Sequence, residues 1–214
     1  MEKKQQYLCV IGDLIESKKI RDRVAFQSKL KKAIRRINKR GHPVSPWTLT
    51  LGDEFQAVFA CEEGIWDDIL SMMAAVWPTR IRFSLATGSL STSVNHRQAL
   101  AMDGPAFHVA RANIETLKRK GGLIRLGYER PPENAEWLTL FASLIGKILY
   151  QARNDSRFKV FRGLLAGRPR KEIAKEGKIS PSAVSQQIET GALEYLVEGA
   201  RKIEDDWRKL LTTG

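Results

Sequence analysis

The chain has 214 residues, with 36 Lys and Arg against 24 Asp and Glu, giving a formal net charge of +12. With 43% hydrophobic residues it can bury one or two cores, which excludes wholesale disorder. Cys9 and Cys61 are its only cysteines, both in apolar stretches, which excludes a disulfide framework or a thiolate-ligated zinc. No apolar run approaches the ~20 residues that span a bilayer, and no secretory-type leader is apparent. A cytoplasmic protein with no membrane partner is expected.

The charge is uneven. Residues 1–40 hold 13 basic and 4 acidic side chains, residues 41–132 hold 9 of each, and residues 133–214 hold 14 and 11. The three stretches therefore carry +9, zero and +3. Such an excess attracts phosphate-bearing partners (nucleic acid, nucleotide or anionic lipid), although a solvated face explains it as well.

In chain order, the apolar run at residues 7–12 predicts a buried strand that ends at Asp13. A basic loop, residues 16–23, leads into a helix with Phe26, Leu30, Ala33, Ile34 and Ile37 on one side and lysines and arginines on the other. Residues 47–51 and 55–60 predict two strands joined at Gly52-Asp53, and a helix follows over 64–76. A strand over 81–87, a helix over 105–120 and a strand over 123–126 complete the pattern. The order suggests an α+β sandwich with helices on one face of a mainly antiparallel sheet. Pro131-Pro132 predict a boundary, dividing residues 1–132 from an all-helical part at 133–214. Within it, Trp137, Leu140, Phe141, Leu144, Ile145, Ile148 and Leu149 form one apolar stripe. A second stripe, Leu196, Ala200, Ile203, Trp207 and Leu210, suits either a dimerisation helix or the core.

Residues 170–188 read RKEIAKEGKISPSAVSQQI. Ile173 and Ala174 fall on the inner side of a short helix, Gly177 permits a turn, and Ser180-Pro181 begin a second helix with Val184 and Ile188 inward. That leaves Ser182, Ser185, Gln186 and Gln187 outward, with Arg168, Lys171, Lys175 and Lys178 beside them as phosphate contacts and Ser180 counted with the DNA-binding set. The segment resembles the helix-turn-helix of LuxR-type regulators and of the sigma-factor region that reads promoters. The resemblance implies DNA as a partner; a helical hairpin that merely packs is the alternative.

Asp13 closes the first strand in IGDLIESKK, and Asp53 lies in the turn of TLGDEFQAVF. If those strands are neighbours, the carboxylates share one sheet end, where a pair suits Mg²⁺ or Mn²⁺ bridging to nucleotide phosphates. Ser17, Lys18, Lys19, Arg21 and Arg23 follow directly and can meet phosphate charge. Two ordinary turn residues are the plainer reading, since Gly-Asp favours hairpins.

The strand-closing aspartate, the GDEF hairpin and the later DGPAFHVAR (103–111) resemble the catalytic palm of class III nucleotidyl cyclases and GGDEF diguanylate cyclases. That resemblance implies a ferredoxin-like palm and a metal-binding role for Asp13 and Asp53. The same order, with a helix-turn-helix behind it, resembles the SatD family over nearly the whole chain. His108 stands at the place of the cyclase asparagine, and Arg111 lies one residue short of the cyclase arginine. Leu49, Thr50 and Leu51 replace the base-selecting lysine, and Leu51 replaces the first glycine of GGDEF. A lost transition-state donor costs roughly 100–1000-fold in rate, so these departures argue against efficient cyclisation. Three readings follow. One is a DNA-binding regulator, a homodimer, whose cyclase-like part senses a nucleotide or serves as a dimer scaffold. The second is a metal-dependent cyclase or nucleotidyltransferase using Asp13 and Asp53; the third is a protein-interaction adaptor acting through the C-terminal helix.

Overall fold

The computed structural model describes residues 4–50 and 52–212. Leu51, noted above before the Gly52-Asp53 turn, lies outside the described residues. The fold is mixed α and β, built on a five-stranded, mostly antiparallel sheet. Its strands are β1 (Gln6–Leu14), β2 (Ser45–Leu49), β3 (Glu54–Phe59), β4 (Ile81–Ser89) and β5 (Ile124–Tyr128), in the order β2-β3-β1-β4-β5. β1 runs antiparallel to β3 and β4, and β4 pairs parallel with β5. Leu8, Cys9, Val10 and Ile11 of β1 are all fully buried, as an unbroken apolar run requires when both faces of a strand are covered.

One face carries α1 (Arg23–Asn38) and α2 (Ile65–Val76), where Leu8, Val10 and Leu14 join Leu30, Ile34 and Ile69. The opposite face carries α3 (Pro105–Lys120), where Cys9, Ile11 and Ala86 meet Phe107, Ala110 and Ile114. Helices were expected on one face only. That holds for α1 and α2 and fails for α3, because joining the parallel strands β4 and β5 takes a crossover over a face of the sheet. Asp22 caps α1 by accepting from the Ala25 N–H at 2.9 Å. Pro105 opens α3 at its first position, with its fixed φ suited to a helix start.

Beyond Pro132 come α4 (Ala135–Leu149), α5 (Ser156–Leu165), α6 (Arg170–Gly177), α7 (Pro181–Thr190) and α8 (Leu193–Thr212). The single stripe expected on α4 is split. Leu138, Ala142, Ile145 and Leu149 are buried, while Trp137 is 73% and Leu140 54% exposed. The helix is apolar on two sides, and only one of them meets β5, where Ser143 Oγ donates to the Ile124 carbonyl at 2.9 Å. On α8, Leu196, Ala200, Ile203 and Trp207 are buried within the chain's own core. Trp207 packs on Trp66 of α2 with ring centroids 5.8 Å apart, so of its two expected uses this stripe serves the core. Hydrophobic contact therefore runs without a break from α2 to α8. Cys61 is exposed, against its expected apolar setting, because it falls in the loop after β3. Cys9 is buried, and burial pushes its thiol pKa up. No helix among the described residues is long and apolar enough to cross a membrane.

Candidate functional site

Antiparallel pairing sets Asp13 opposite Glu54 of β3 and Arg82 of β4. Its side chain, on the α3 side with those of Cys9 and Ile11, is almost fully buried. Arg82 Nη1 donates to Asp13 Oδ2 at 2.9 Å, and Lys118 Nζ of α3 lies 3.7 Å from Oδ1. Burial lowers the Lys118 pKa, but the Glu115 hydrogen bond and the charges of Asp13 and Glu54 outweigh it and raise it overall.

Asp53 sits in the β2–β3 turn, and its carbonyl accepts from the Leu14 N–H at 3.2 Å. Its carboxylate accepts from Ser17 Oγ. Both residues open onto a pocket of about 210 Å³ on the α1 side, edged by Arg23, Lys31 and Thr50. The two aspartates thus share a sheet end, but among the described residues their carboxylates share no partner. A divalent ion bridging phosphates takes several oxygen ligands, and at Asp13 both oxygens already face cations. In this arrangement the pair does not fit such an ion. Among the described residues, the one group of three ligands able to surround an ion is His42, Asp67 and Asp68. Fully buried Asp68 there already accepts from Trp47 Nε1 at 2.9 Å and pairs with His42 Nδ1 at 2.9 Å.

The other expected phosphate contacts disperse. Arg23 borders the Asp53 pocket, while Lys18 and Arg21 are exposed, and Lys19 pairs with Glu16 at 2.6 Å. His108 and Arg111 belong to α3, on the opposite face from that pocket. His108 Nε2 meets Asp103 Oδ1 at 2.8 Å, and Arg111 lies 3.5 Å from Glu54 Oε1.

The α6–α7 pair has its own local logic. The left-handed residue between the helices is Lys178, at φ 54°, and not Gly177. Gly177 serves instead by lacking a Cβ, which would press within 3.3 Å of Ile179. Ser180 caps α7 by accepting from the Ala183 N–H at 3.1 Å, ahead of Pro181. Ile173, Ala174, Val184 and Ile188 are buried between the helices and their neighbours. Ser182, Ser185, Gln186, Lys171, Lys175 and Lys178 are exposed. Gln187 is not free: its Oε1 accepts from Arg157 Nε at 2.9 Å. Arg157 also donates to the Ile148 carbonyl at 3.0 Å and to Thr190 Oγ1 at 3.2 Å, tying α7 to the end of α4. Arg168 pairs with Glu176.

The family model described as the SatD family matches residues 7–203. The chain belongs to the SatD family. No curated protein matches it. Two structures of a bacterial light-regulated adenylyl cyclase are similar to this SatD-family chain, at 14% and 16% identity and a TM-score of 0.41 each. Each covers 57% of the chain, which spans 43% of the cyclase's length. A regulator of polyketide synthase expression from Bifidobacterium adolescentis is similar at 16% identity and a TM-score of 0.29, over 94% of this chain and 85% of its own.

Sequence reasoning missed Arg82, Lys118 and Arg157 in the SatD-family chain. Arg82 carries a faint signal as a charged residue in an alternating strand. Lys118 and Arg157 carry none, since their roles depend on partners brought close only by the fold.

Proposed function

We propose that the protein is a DNA-binding regulatory protein, with α6–α7 as a helix-turn-helix and α7 as the helix that enters the major groove. The observation that carries this reading is the division of α7: Val184 and Ile188 are buried, while Ser182, Ser185 and Gln186 face outward. Side chains of these types at the start of such a helix can read base edges. Lys171, Lys175 and Lys178 stand beside them as phosphate contacts. Gln187, Ser180 and Arg168 have internal partners, so they belong to the frame that holds α7. Ser182, though exposed, meets Ser180 Oγ at 2.8 Å, which leaves Ser185 and Gln186 as the freer pair. The strand order β2-β3-β1-β4, with α1 and α2 on one face, supports reading residues 1–132 as a ferredoxin-like palm that acts as sensor or scaffold. The reading includes a homodimer, since a surplus of +3 in residues 133–214 is modest for a single copy on DNA.

The test is site selection from a random duplex library, followed by anisotropy titration. Gln186→Ala should lower affinity for the selected site by about 1–3 kcal/mol while leaving salt-dependent non-specific binding nearly intact. Unchanged site selectivity would sink the reading. The competing reading, a metal-dependent cyclase or nucleotidyltransferase using Asp13 and Asp53, is weakened by the cations that already hold Asp13. Pyrophosphate release from a nucleoside triphosphate with Mg²⁺ or Mn²⁺, abolished in Asp53→Asn, would establish it instead.

A further inference from the structure

A cleft of about 710 Å³ lies between α1, α2, α5 and α6, apart from the Asp53 pocket. Its volume is in the range of small-molecule sites. Six cations line it: Lys29, Lys32 and Arg36 along one side of α1, Arg40 in the turn just after it, and Lys159 and Arg162 from α5. Asp155 and Glu176 oppose them, leaving a surplus of four positive charges. Asp67 lies behind Arg40 and Arg162, and Asp68 Oδ1 lies 3.5 Å from Arg40 Nη1, which together reduce the surplus to two.

The floor is organised. Arg40 Nη1 and Arg162 Nη1 donate to the same Ser71 Oγ, at 3.1 and 2.9 Å, and both guanidiniums meet the Asp67 carboxylate. Two like charges, one from the turn after α1 and one from α5, are thereby held side by side before any ligand arrives. Burial lowers the Arg162 pKa; Asp67 opposes the shift, and Arg40 and Arg168 reinforce it. At the rim, Lys32 and Arg36 are exposed and have no side-chain partner among the described residues. Ala74, Ala75 and Ile173 supply an apolar wall.

We propose that this cleft binds a nucleoside polyphosphate. Its phosphates lie against Lys32, Arg36 and the Arg40–Arg162 pair, and its base rests on the wall of Ala74, Ala75 and Ile173. The phosphates of a di- or triphosphate carry enough negative charge to neutralise the surplus, and charge-assisted contacts to arginine suit them. The site involves neither Asp13 nor Asp53, and it stands independently of the DNA reading.

The experiment is calorimetric titration of the full chain, without DNA or divalent metal, using each of ATP, GTP, CTP and UTP and, separately, inorganic tripolyphosphate. At least one nucleotide is expected to bind, and more tightly than tripolyphosphate. Lys32→Glu with Arg36→Glu should weaken it at least tenfold without changing Tm, because both side chains are exposed; Asp53→Asn should leave it unchanged. Binding of no probe overturns the proposal. So does loss of binding through Asp53→Asn alone, and equal affinity for tripolyphosphate removes the nucleoside. If no probe binds and the double variant weakens DNA binding at every sequence, the cleft is a backbone contact for DNA instead. Failure of the DNA reading changes none of these titrations.

Discussion

Glu204 on α8 is a carboxyl group where water is scarce. Burial pushes its pKa from 4.5 up to about 7, with Arg208 and Arg201 opposing the shift and Glu62 and Asp205 adding to it. A raised acid favours a native state that keeps the proton. Its stabilisation is therefore complete below about pH 4.5 and is lost as the pH climbs through about 7. Glu204→Gln should raise Tm at pH 8 and leave it nearly unchanged at pH 4; equal shifts at both would show that the charge is not the cause. The two amides of α7 make a contrasting case. Gln186 and Gln187 read alike in sequence, but a step of about 100° around the helix separates an exposed side chain from one held by Arg157, 30 residues earlier. A sequence pattern gives the angle between neighbours and is silent on which cation waits at one of those angles.

At the scale of elements, the left-handed Lys178 closes α6 with a side chain that this conformation disfavours. Lys178→Gly should stabilise the fold by about 0.5–1 kcal/mol, read from the urea midpoint, after the greater freedom of glycine in the unfolded chain is offset. A loss of stability would mean that the lysine has contacts of its own. Element boundaries were legible wherever local chemistry decides them. The expected bounds of α3 coincide with those found, because Pro105 starts it and Gly121 ends it. What each helix covers was less legible. On α4 the sequence pattern merges two apolar sides into one stripe, and only packing against β5 and α8 divides them. The partners of Asp13 were hidden for a similar reason: Arg82 reaches it through strand register, and Lys118 through the α3 crossover.

On the scale of the whole molecule, the Trp66–Trp207 contact joins α2 to α8, and Trp66 Nε1 donates to the Ala200 carbonyl at 3.3 Å. Each tryptophan truncated to Ala should cost about 3–5 kcal/mol, and the double variant clearly less than the sum, since the two share one contact. Guanidinium unfolding should remain a single transition, and two separate transitions would show that the parts on either side of Pro132 fold independently. The +12 charge, undirected in the sequence, acquires places in the fold: one side of α1 borders the cleft, and the lysines of α6 flank α7. One helix belongs to both. Ile173, Glu176 and Gly177 of α6 line the cleft, and Ile173 and Ala174 are buried in the core that carries α7. Thermodynamic linkage then binds the two faces: whatever factor a cleft ligand imposes on DNA affinity, DNA must return on the affinity of that ligand.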